Sequence, residues 1–279
     1  MLQSKMPGAP LSDHLGALEP ALSDGIYPCC THKQAWKLDD RNVTHSWGAI
    51  HIMPATQFRT AVIAGATGLV GRYCLEALLE HYDQVTALTR RRIPLDHPKL
   101  LQHVLDLEEM ESISLDAGDV FSSLGAHLDE VGWEAFTKAE FEYPRRLAEH
   151  AVRAGARQFI FVSVPDSMHT QDFRRYTEMK RRLEGIVAGL GFAGVQVLRP
   201  SLLLGERERP RADERRLKAM LRWSQWMMIG RLRRYLPIPA CEVGQAMVAA
   251  AREAVPGLHI YYHDQIRALA ASIESRMAS

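Results

Sequence analysis

The chain has 279 residues, of which 47% are hydrophobic and 24% are charged, and its 34 Lys and Arg residues nearly balance 33 Asp and Glu residues. A net charge of +1 gives no bulk electrostatic reason to expect nucleic acid as a partner. No apolar run approaches the roughly 20 residues of a membrane-spanning helix, so no integral membrane segment is predicted.

Residues 1–57 show no sustained period of 3.6 or 2. They predict an N-terminal extension that is disordered or outside the native start, because Met53 stands just before the first strand; a small cap is the alternative. The four cysteines have neither zinc-site nor disulfide-framework spacing, and no secretory signal is visible. We therefore expect a cytoplasmic protein.

An apolar strand pattern at 58–64 leads into a glycine-spaced turn and then an amphipathic helix. Glycines allow a tight bend and a close approach to a pyrophosphate, and the helix start presents free N–H groups to the anion. The pattern predicts a dinucleotide site, with an ordinary tight turn as the alternative. The cofactor-binding residues predicted in this turn are Gly65, Thr67, Gly68, Leu69, Val70 and Gly71.

Strand-like and helix-like segments then alternate, which predicts an α/β fold, a doubly wound Rossmann fold with a parallel sheet. The predicted strands are 84–89, 103–107, 119–125 including a turn, 158–164 and 195–199, and the predicted helices are 69–81, 133–154 and 173–190. Gly155 is a predicted helix stop. Right-handed crossovers place the carboxyl ends of the strands at one edge, where such folds bind ligands.

The end of the second predicted strand indicates which cofactor binds. Arg90, Arg91 and Arg92 stand where an acidic residue would bind the ribose of NAD. Guanidinium groups can instead bind a 2′-phosphate, so Arg90 and Arg91 predict NADP(H) in preference to NAD(H). The alternative is a solvated basic turn. Near the end of the next strand, Asp106 suits either the adenine amino group or a helix N-cap, with Leu107 beside it in the predicted cofactor site.

A second motif places Tyr176 and Lys180 four residues apart, so that both lie on one face of a helix. A lysine ammonium can lower the pKa of a phenol, which lets Tyr176 act as an acid or base while Ser163 holds the substrate oxygen. The predicted catalytic residues are therefore Ser163, Tyr176 and Lys180. An exposed tyrosine on a charged helix is the alternative.

These motifs, with Ser122-Ser123-Leu124-Gly125 and the segment from Leu198 to Gly205, resemble an atypical short-chain dehydrogenase/reductase over about 58–270. The sequence is most similar to the Tat-interacting-protein-like, NAD(P)H-binding branch. The resemblance implies that Ser123, Leu124 and Gly125 line the cofactor ribose, that Tyr176 and Lys180 contact the nicotinamide ribose, and that Pro200 and Ser201 approach the nicotinamide. Val164 departs from the pattern, because relatives often have a second hydroxyl residue there.

Residues 206–235 are rich in arginine, tryptophan and methionine. They belong to a predicted substrate-side insertion at about 206–240, within a domain predicted at 58–279. A lid over the nicotinamide, a surface for an anionic membrane and a packed helix with a solvated basic face all fit. The twelve histidines show no metal-site spacing, so no metal is predicted.

The sequence thus predicts an NADP-dependent oxidoreductase that acts on a carbonyl or alcohol of a small-molecule substrate. The alternative is a non-catalytic NADPH-binding sensor or regulatory module. We expect a monomer or homodimer.

Overall fold

The computed structural model describes residues 58–116, 118–126, 128–166, 171–205 and 234–277. Its strands are β1 (Thr60–Ala64), β2 (Gln84–Thr89), β3 (Leu100–Val104), β4 (Asp119–Ser122), β5 (Gln158–Val162), β6 (Gly194–Leu198), β7 (Leu203–Leu204), β8 (Ile238–Pro239) and β9 (Gly257–Tyr261). Seven form one sheet in the order β3-β2-β1-β4-β5-β6-β9, and every neighbouring pair is parallel. β7 and β8 pair separately.

The helices are α1 (Gly71–His81), α2 (Leu128–Thr137), α3 (Tyr143–Arg153), α4 (Gln171–Ala188), α5 (Ala240–Glu253) and α6 (His263–Met277). A 3₁₀ helix spans Leu107–Ser112, and a π-helical turn spans Lys138–Glu142.

Helices cover both faces of the sheet because side chains alternate along each strand. In β1, Ala61 and Ile63 pack into a core with α1, α5 and α6, whereas Val62 and Ala64 pack into a second core with α3 and α4. Strands buried on both faces explain the nearly continuous apolar runs in the sequence. The predicted doubly wound parallel fold is confirmed.

Two predicted elements need correction. The strand expected at 103–107 is β3 at Leu100–Val104, and Asp106 lies beyond it, where its side chain accepts the Glu108 N–H and caps the 3₁₀ helix. The single helix expected at 133–154 is broken. Gly132 has a φ of +73° within α2, and the π-helical turn separates α2 from α3. Gly155, with a φ of +84°, follows α3 as the predicted stop.

The described C-terminal residues complete the sheet. The chain runs from β8 into α5, which packs on α1, and β9 then pairs with β6 at the edge of the sheet. The extension predicted at 1–57, the proposed start at Met53 and residues 206–233 of the basic segment lie outside the described residues. The domain boundaries and the lid hypothesis therefore stay predictions.

Candidate functional site

The glycine turn lies where the order of the sheet reverses, between β1 and β4. Gly65 has a φ of +89°, and a Cβ there would lie 2.7 Å from the carbonyl carbon of Ser123, so only glycine fits without strain. No side-chain hydrogen bond caps α1 at its N-cap residue, Val70. The Arg72 N–H of the first turn donates to the Gly68 carbonyl at 3.1 Å, and a helix start without a side-chain cap fits a dinucleotide phosphate at its other N–H groups.

A cavity of about 690 Å³ opens beside this turn, at the carboxyl ends of the strands. The predicted site residues that line it are Gly68, Leu69, Val70, Ser123, Leu124, Gly125, Ser163, Tyr176, Lys180, Pro200 and Ser201. They come from sequence positions more than 130 residues apart. The fold thus brings the predicted phosphate turn and the predicted reacting groups to one cavity, whose size suits a cofactor or small ligand.

The other predicted site residues lie outside the lining of this cavity. Gly65, Thr67 and Gly71 belong to the turn itself, and the Arg90 and Arg91 side chains are exposed just after β2. Leu107 is buried in the core next to α3, so its side chain does not face the cavity. The cofactor contacts of these residues stay predictions.

Tyr176 and Lys180 meet a third residue that the sequence patterns did not single out, Glu140 in the π-helical turn. The Tyr176 hydroxyl donates to Glu140 Oε2 at 3.0 Å, and Lys180 Nζ lies 3.0 Å from the same oxygen. Lys180 and Glu140 are both buried, with side-chain exposures of 2% and 7%. Burial, and then the neighbouring Glu140 carboxylate, raise the pKa of the Tyr176 phenol well above its ordinary value of 10.0. The expected lowering of that pKa by Lys180 is therefore not seen.

The backbone around Glu140 explains its position. Pro144 lies at the start of α3 and has no N–H, so it cannot donate the α-helical hydrogen bond to the Glu140 carbonyl four residues earlier. Lys180 Nζ approaches that carbonyl oxygen at 3.4 Å instead. Pro144 was a signal in the sequence for an irregular helix here, and such π-helical turns are frequent at functional sites.

Ser163 belongs to a separate buried network. Its hydroxyl donates to Glu184 Oε1 at 2.5 Å, and Arg199 Nη2 binds the other carboxylate oxygen at 2.5 Å. Arg181 also pairs with Glu184 and donates to Ser163 Oγ. The Ser163 hydroxyl thus donates to Glu184 and accepts from Arg181, so it would have to turn away from Glu184 to donate to a substrate carbonyl oxygen. Its role in holding the substrate oxygen stays a prediction.

Aromatic rings form the wall of the cavity around Tyr176. Phe136 and Phe173 meet its ring edge-on, at centroid distances of 5.0 and 6.1 Å. Trp133 stacks on Phe136 at 5.4 Å, with the Arg175 guanidinium 4.2 Å from the Trp133 ring centroid. These rings limit the access of water to the Tyr176 hydroxyl and make the wall beside it apolar. Sequence reasoning missed them because they come from the irregular segment before α3 and the start of α4.

Comparison with known families identifies the chain. Residues 61–225, more than half of the chain, match the NAD dependent epimerase/dehydratase family. The chain belongs to this family. The matched residues include the glycine turn, Glu140, Ser163, Tyr176 and Lys180.

Similar proteins support the assignment to this family. The mitochondrial protein FMP52-2 of Scheffersomyces stipitis is 30% identical over 70% of this chain and 88% of its own length. The Neurospora crassa protein fmp-52, also named mitochondrial, is 31% identical over 73% of this chain and 89% of its own length. HTATIP2 of Rattus norvegicus is 27% identical over 57% of this chain and 68% of its own length. The predicted resemblance to the Tat-interacting-protein-like branch is confirmed.

Solved structures share the fold of this chain. MoeE5, solved with UDP-glucose and NAD, has a TM-score of 0.54 at 16% identity and covers 77% of this chain and 82% of its own. The UDP-glucuronic acid 4-epimerase of Bacillus cereus, solved with NAD, has a TM-score of 0.53 at 14% identity and covers 73% and 78%. At this identity the likeness concerns the fold, which is that of NAD(P)-binding Rossmann proteins.

Two further observations concern membrane-spanning helices and cellular location. Among the helices of the described ranges, none combines the length and hydropathy needed to cross a membrane. The mitochondrial names of the fungal relatives do not fit a strictly cytoplasmic location.

Proposed function

We propose that this protein is an NADP-dependent oxidoreductase of the short-chain dehydrogenase/reductase type, acting on a carbonyl or alcohol of a small substrate. The observation that carries the proposal is that Tyr176 and Lys180 lie in the same cavity as Gly68 and Leu69 of the glycine turn. A phenol that can transfer a proton and a helix start that can bind a phosphate thus lie at the same cavity, where one bound ligand could contact both.

The chain's own residues would each have a defined task. The amide groups at the start of α1 would bind the pyrophosphate, and Arg90 and Arg91 would bind a 2′-phosphate. Lys180 would bind the nicotinamide ribose, Tyr176 would transfer a proton at the substrate oxygen, and Ser163 would orient that oxygen. The bound cofactor would supply or accept the hydride, while the protein supplies positioning and electrostatics.

The test of this proposal is Tyr176→Phe, which removes the hydroxyl and keeps the ring packing. We expect NADPH oxidation with a panel of aldehydes, ketones and quinones to fall by at least about 100-fold, the usual contribution of a positioned acid. NADPH affinity, followed by fluorescence titration, should stay within about threefold, since this substitution leaves the phosphate contacts intact.

Tyr143→Phe is the matched control, because the Tyr143 hydroxyl contacts exposed Glu108 and Tyr143 does not line the cavity. It should leave turnover and binding unchanged. Tyr176→Phe with wild-type turnover would contradict the proposed role of Tyr176.

A second function, an NADPH-binding sensor without catalysis, is favoured by one observation. The Tyr176 hydroxyl and the Lys180 ammonium both donate to the Glu140 carboxylate, so a substrate oxygen would have to compete with Glu140 for them. Tight NADPH binding with no turnover on any carbonyl of the panel would favour the sensor.

The remaining parts of the proposal concern location and assembly. We propose that the protein acts on a small molecule as a monomer or homodimer in the cytoplasm, whereas the mitochondrial names of two relatives favour the mitochondrion. Imaging of the full chain with a C-terminal tag distinguishes the two compartments.

A further inference from the structure

A second cavity, of about 640 Å³, lies at the amino ends of the strands, at the edge of the sheet opposite the candidate site. Arg59, Arg157 and Arg252 line it, and we call it the arginine cavity. Its other described residues lie just before or at the start of β2, β5 and β6, or just after α5. No described residue lines both cavities. A ligand in the arginine cavity would therefore occupy a site of its own.

The three arginines come from three separate segments of the chain. Arg59 precedes β1, Arg157 precedes β5, and Arg252 lies in the last turn of α5. Among the described residues of the lining, Asp83 is the one carboxylate. Guanidinium groups that share a cavity repel each other, and a bound anion relieves this repulsion. The charge of the lining thus favours an anionic ligand.

Arg59 is held in place by a buried carboxylate. Its Nη2 donates to Asp119 Oδ2 at 3.0 Å and to the Tyr82 hydroxyl at 3.2 Å, and its guanidinium lies 4.7 Å from the centre of the Tyr82 ring. Asp119 is 1% exposed, so it positions Arg59 from inside the protein and does not itself line the arginine cavity. The Arg59 Nε and Nη1 groups make no hydrogen bond to a described residue and remain as donors for a ligand.

Gln158 links the same network to α5. Its Nε2 donates to Asp119 Oδ1 and to the Ala251 carbonyl oxygen, both at 2.9 Å, and these two acceptors identify the atom as the amide nitrogen. The amide oxygen, Oε1, lies beside Gly194 of the lining, where a Cβ would be 3.3 Å from it. Gln158 is 5% exposed, and its Oε1 has no partner among the described residues. Such an acceptor is rare in a folded protein and favours a ligand that carries a hydroxyl group as well as a charge.

The other two arginines are placed differently. The Arg157 side chain is exposed and, within the described ranges, makes no hydrogen bond or ion pair. Arg252 Nη1 donates to His81 Nδ1 at 2.5 Å. Burial, and then the charges of Arg252 and Arg59, lower the pKa of His81 to about 4, so its ring is uncharged at neutral pH. His81 thus orients Arg252 without neutralising it.

We propose that the arginine cavity binds a phosphate group, on a small molecule or as inorganic phosphate, through Arg59, Arg157 and Arg252. A phosphate dianion offers three terminal oxygens to three guanidinium groups, whereas a carboxylate offers two. Guanidinium groups also match phosphate with paired, charge-assisted hydrogen bonds. The cavity is in the size range of small-molecule sites, so it accommodates more than the phosphate group. This inference does not depend on the proposed function, because it concerns the opposite edge of the sheet.

The first test is a calorimetric titration of the full chain with ribose 5-phosphate, with ribose as the uncharged probe. We expect the wild type to bind ribose 5-phosphate but not ribose. Arg157→Ala with Arg252→Ala should weaken this binding by about tenfold or more, since each charge-assisted hydrogen bond to the phosphate is worth about tenfold. No binding by the wild type, or an undiminished affinity in the folded double variant, would overturn the proposal.

Arg153→Ala is the matched control, because Arg153 is an exposed arginine at the end of α3 that does not line the arginine cavity. It should leave the affinity unchanged. Inorganic phosphate as a second probe separates the two sources of the group. Tighter binding of ribose 5-phosphate identifies a phosphate ester as the ligand, and equal binding identifies the free ion.

The second test locates the bound phosphate. Phenylglyoxal modifies accessible guanidinium groups, and mass spectrometry of the digested protein gives the modification rate at each arginine. With ribose 5-phosphate at about ten times its Kd, the modification of Arg157 should slow about tenfold by mass action. The rate at Arg153 should not change. An unchanged rate at Arg157, or equal slowing at Arg153, would overturn the proposal.

The glycine turn is a second place where a phosphate fits, so the two sites must be separated. Arg90→Ala with Arg91→Ala should leave the protection of Arg157 intact, and Arg157→Ala with Arg252→Ala should keep NADPH affinity within about twofold, because distant sites act independently. Loss of Arg157 protection in the first variant would overturn the proposal. A wild type that fails to bind NADPH contradicts the proposed function but leaves this test standing. If circular dichroism shows that the Arg157 and Arg252 double variant is unfolded, Arg157→Ala alone decides.

Discussion

Arg90 and Arg91 are the two exposed residues on which the proposed choice of cofactor rests. They follow β2 directly, at the edge where the glycine turn and the cavity lie, and both side chains are exposed. Exposed guanidinium groups are weak contributors to stability, but they bind a phosphate with charge-assisted, bidentate hydrogen bonds. The same groups gain nothing from the 2′-hydroxyl of NAD. The proposed preference for NADP(H) therefore depends on these two residues.

Replacing both arginines, as Arg90→Ala with Arg91→Ala, should weaken NADPH binding by about 100-fold or more, because two charge-assisted hydrogen bonds of about 1.5 kcal/mol each contribute about 3 kcal/mol. NADH binding should change by less than about twofold, since NADH has no 2′-phosphate to lose. Calorimetric titration with both cofactors measures the two affinities.

Arg92→Ala is the control for this pair, because Arg92 is an exposed arginine of the same turn. It should leave both affinities near those of wild type. Equal affinities of the wild type for NADPH and NADH would contradict the role given to Arg90 and Arg91.

At the scale of elements, α4 organises the site because one of its faces carries Tyr176, Lys180 and Glu184 at successive spacings of four residues. The first two reach the cavity, whereas Glu184 ties α4 to the sheet through Ser163 at the end of β5 and Arg199 at the end of β6. Glu184 is 4% exposed and Arg199 is 6% exposed. The charged pair therefore lies largely out of water, where the loss of one partner is costly.

Glu184→Gln should lower the free energy of unfolding by about 3 kcal/mol, because it removes the buried anion of Arg199 and leaves that guanidinium only the exposed Asp166 carboxylate, 3.6 Å away. Urea denaturation measures this change. Glu149→Gln, which breaks a part-exposed pair with Arg145 on α3, should cost less than about 1 kcal/mol. Equal effects of the two substitutions would contradict the structural role of Glu184.

The sequence predicted the central elements well, because β1, β2, β4, β5 and β6 are short apolar runs bounded by turn residues. It misplaced β3, an edge strand whose residues are only partly buried and whose apolar pattern is correspondingly weak. It also merged α2, the π-helical turn and α3, because helical periodicity continues across the break. The break places Glu140 against Tyr176 of α4, 36 residues later in the chain, and the sequence alone does not indicate this contact.

Only those residues of the candidate site that belong to motifs could be predicted from the sequence. Tyr176, Lys180 and the glycine turn have motifs with fixed spacing, and the fold brings them to one cavity. Glu140 has no motif, since its role arises from a tertiary contact between two helical segments. The partner of Ser163 could not be predicted either, because Glu184 lies on a helix and pairs with Arg199, which follows β6.

At the scale of the whole molecule, the sheet places the segments that line the cavity of the candidate site at one edge. The glycine turn after β1, the residues after β4 and β5, and Pro200 and Ser201 after β6 all follow carboxyl ends of parallel strands. β9 and the helices α5 and α6 complete the sheet and its cover on one face, and none of them lines the cavity. The described C-terminal elements therefore support the site without forming it.

The measurement that tests this account most directly is a crystal structure of the full chain with NADP⁺ bound. We expect the pyrophosphate on the N–H groups of the turn from Gly65 to Gly71 and the 2′-phosphate at Arg90 and Arg91. The nicotinamide ribose should lie within hydrogen-bond distance of Tyr176 or Lys180, with the nicotinamide beside Pro200 and Ser201. A cofactor bound away from the glycine turn, or one whose nicotinamide points away from Tyr176, would contradict the account.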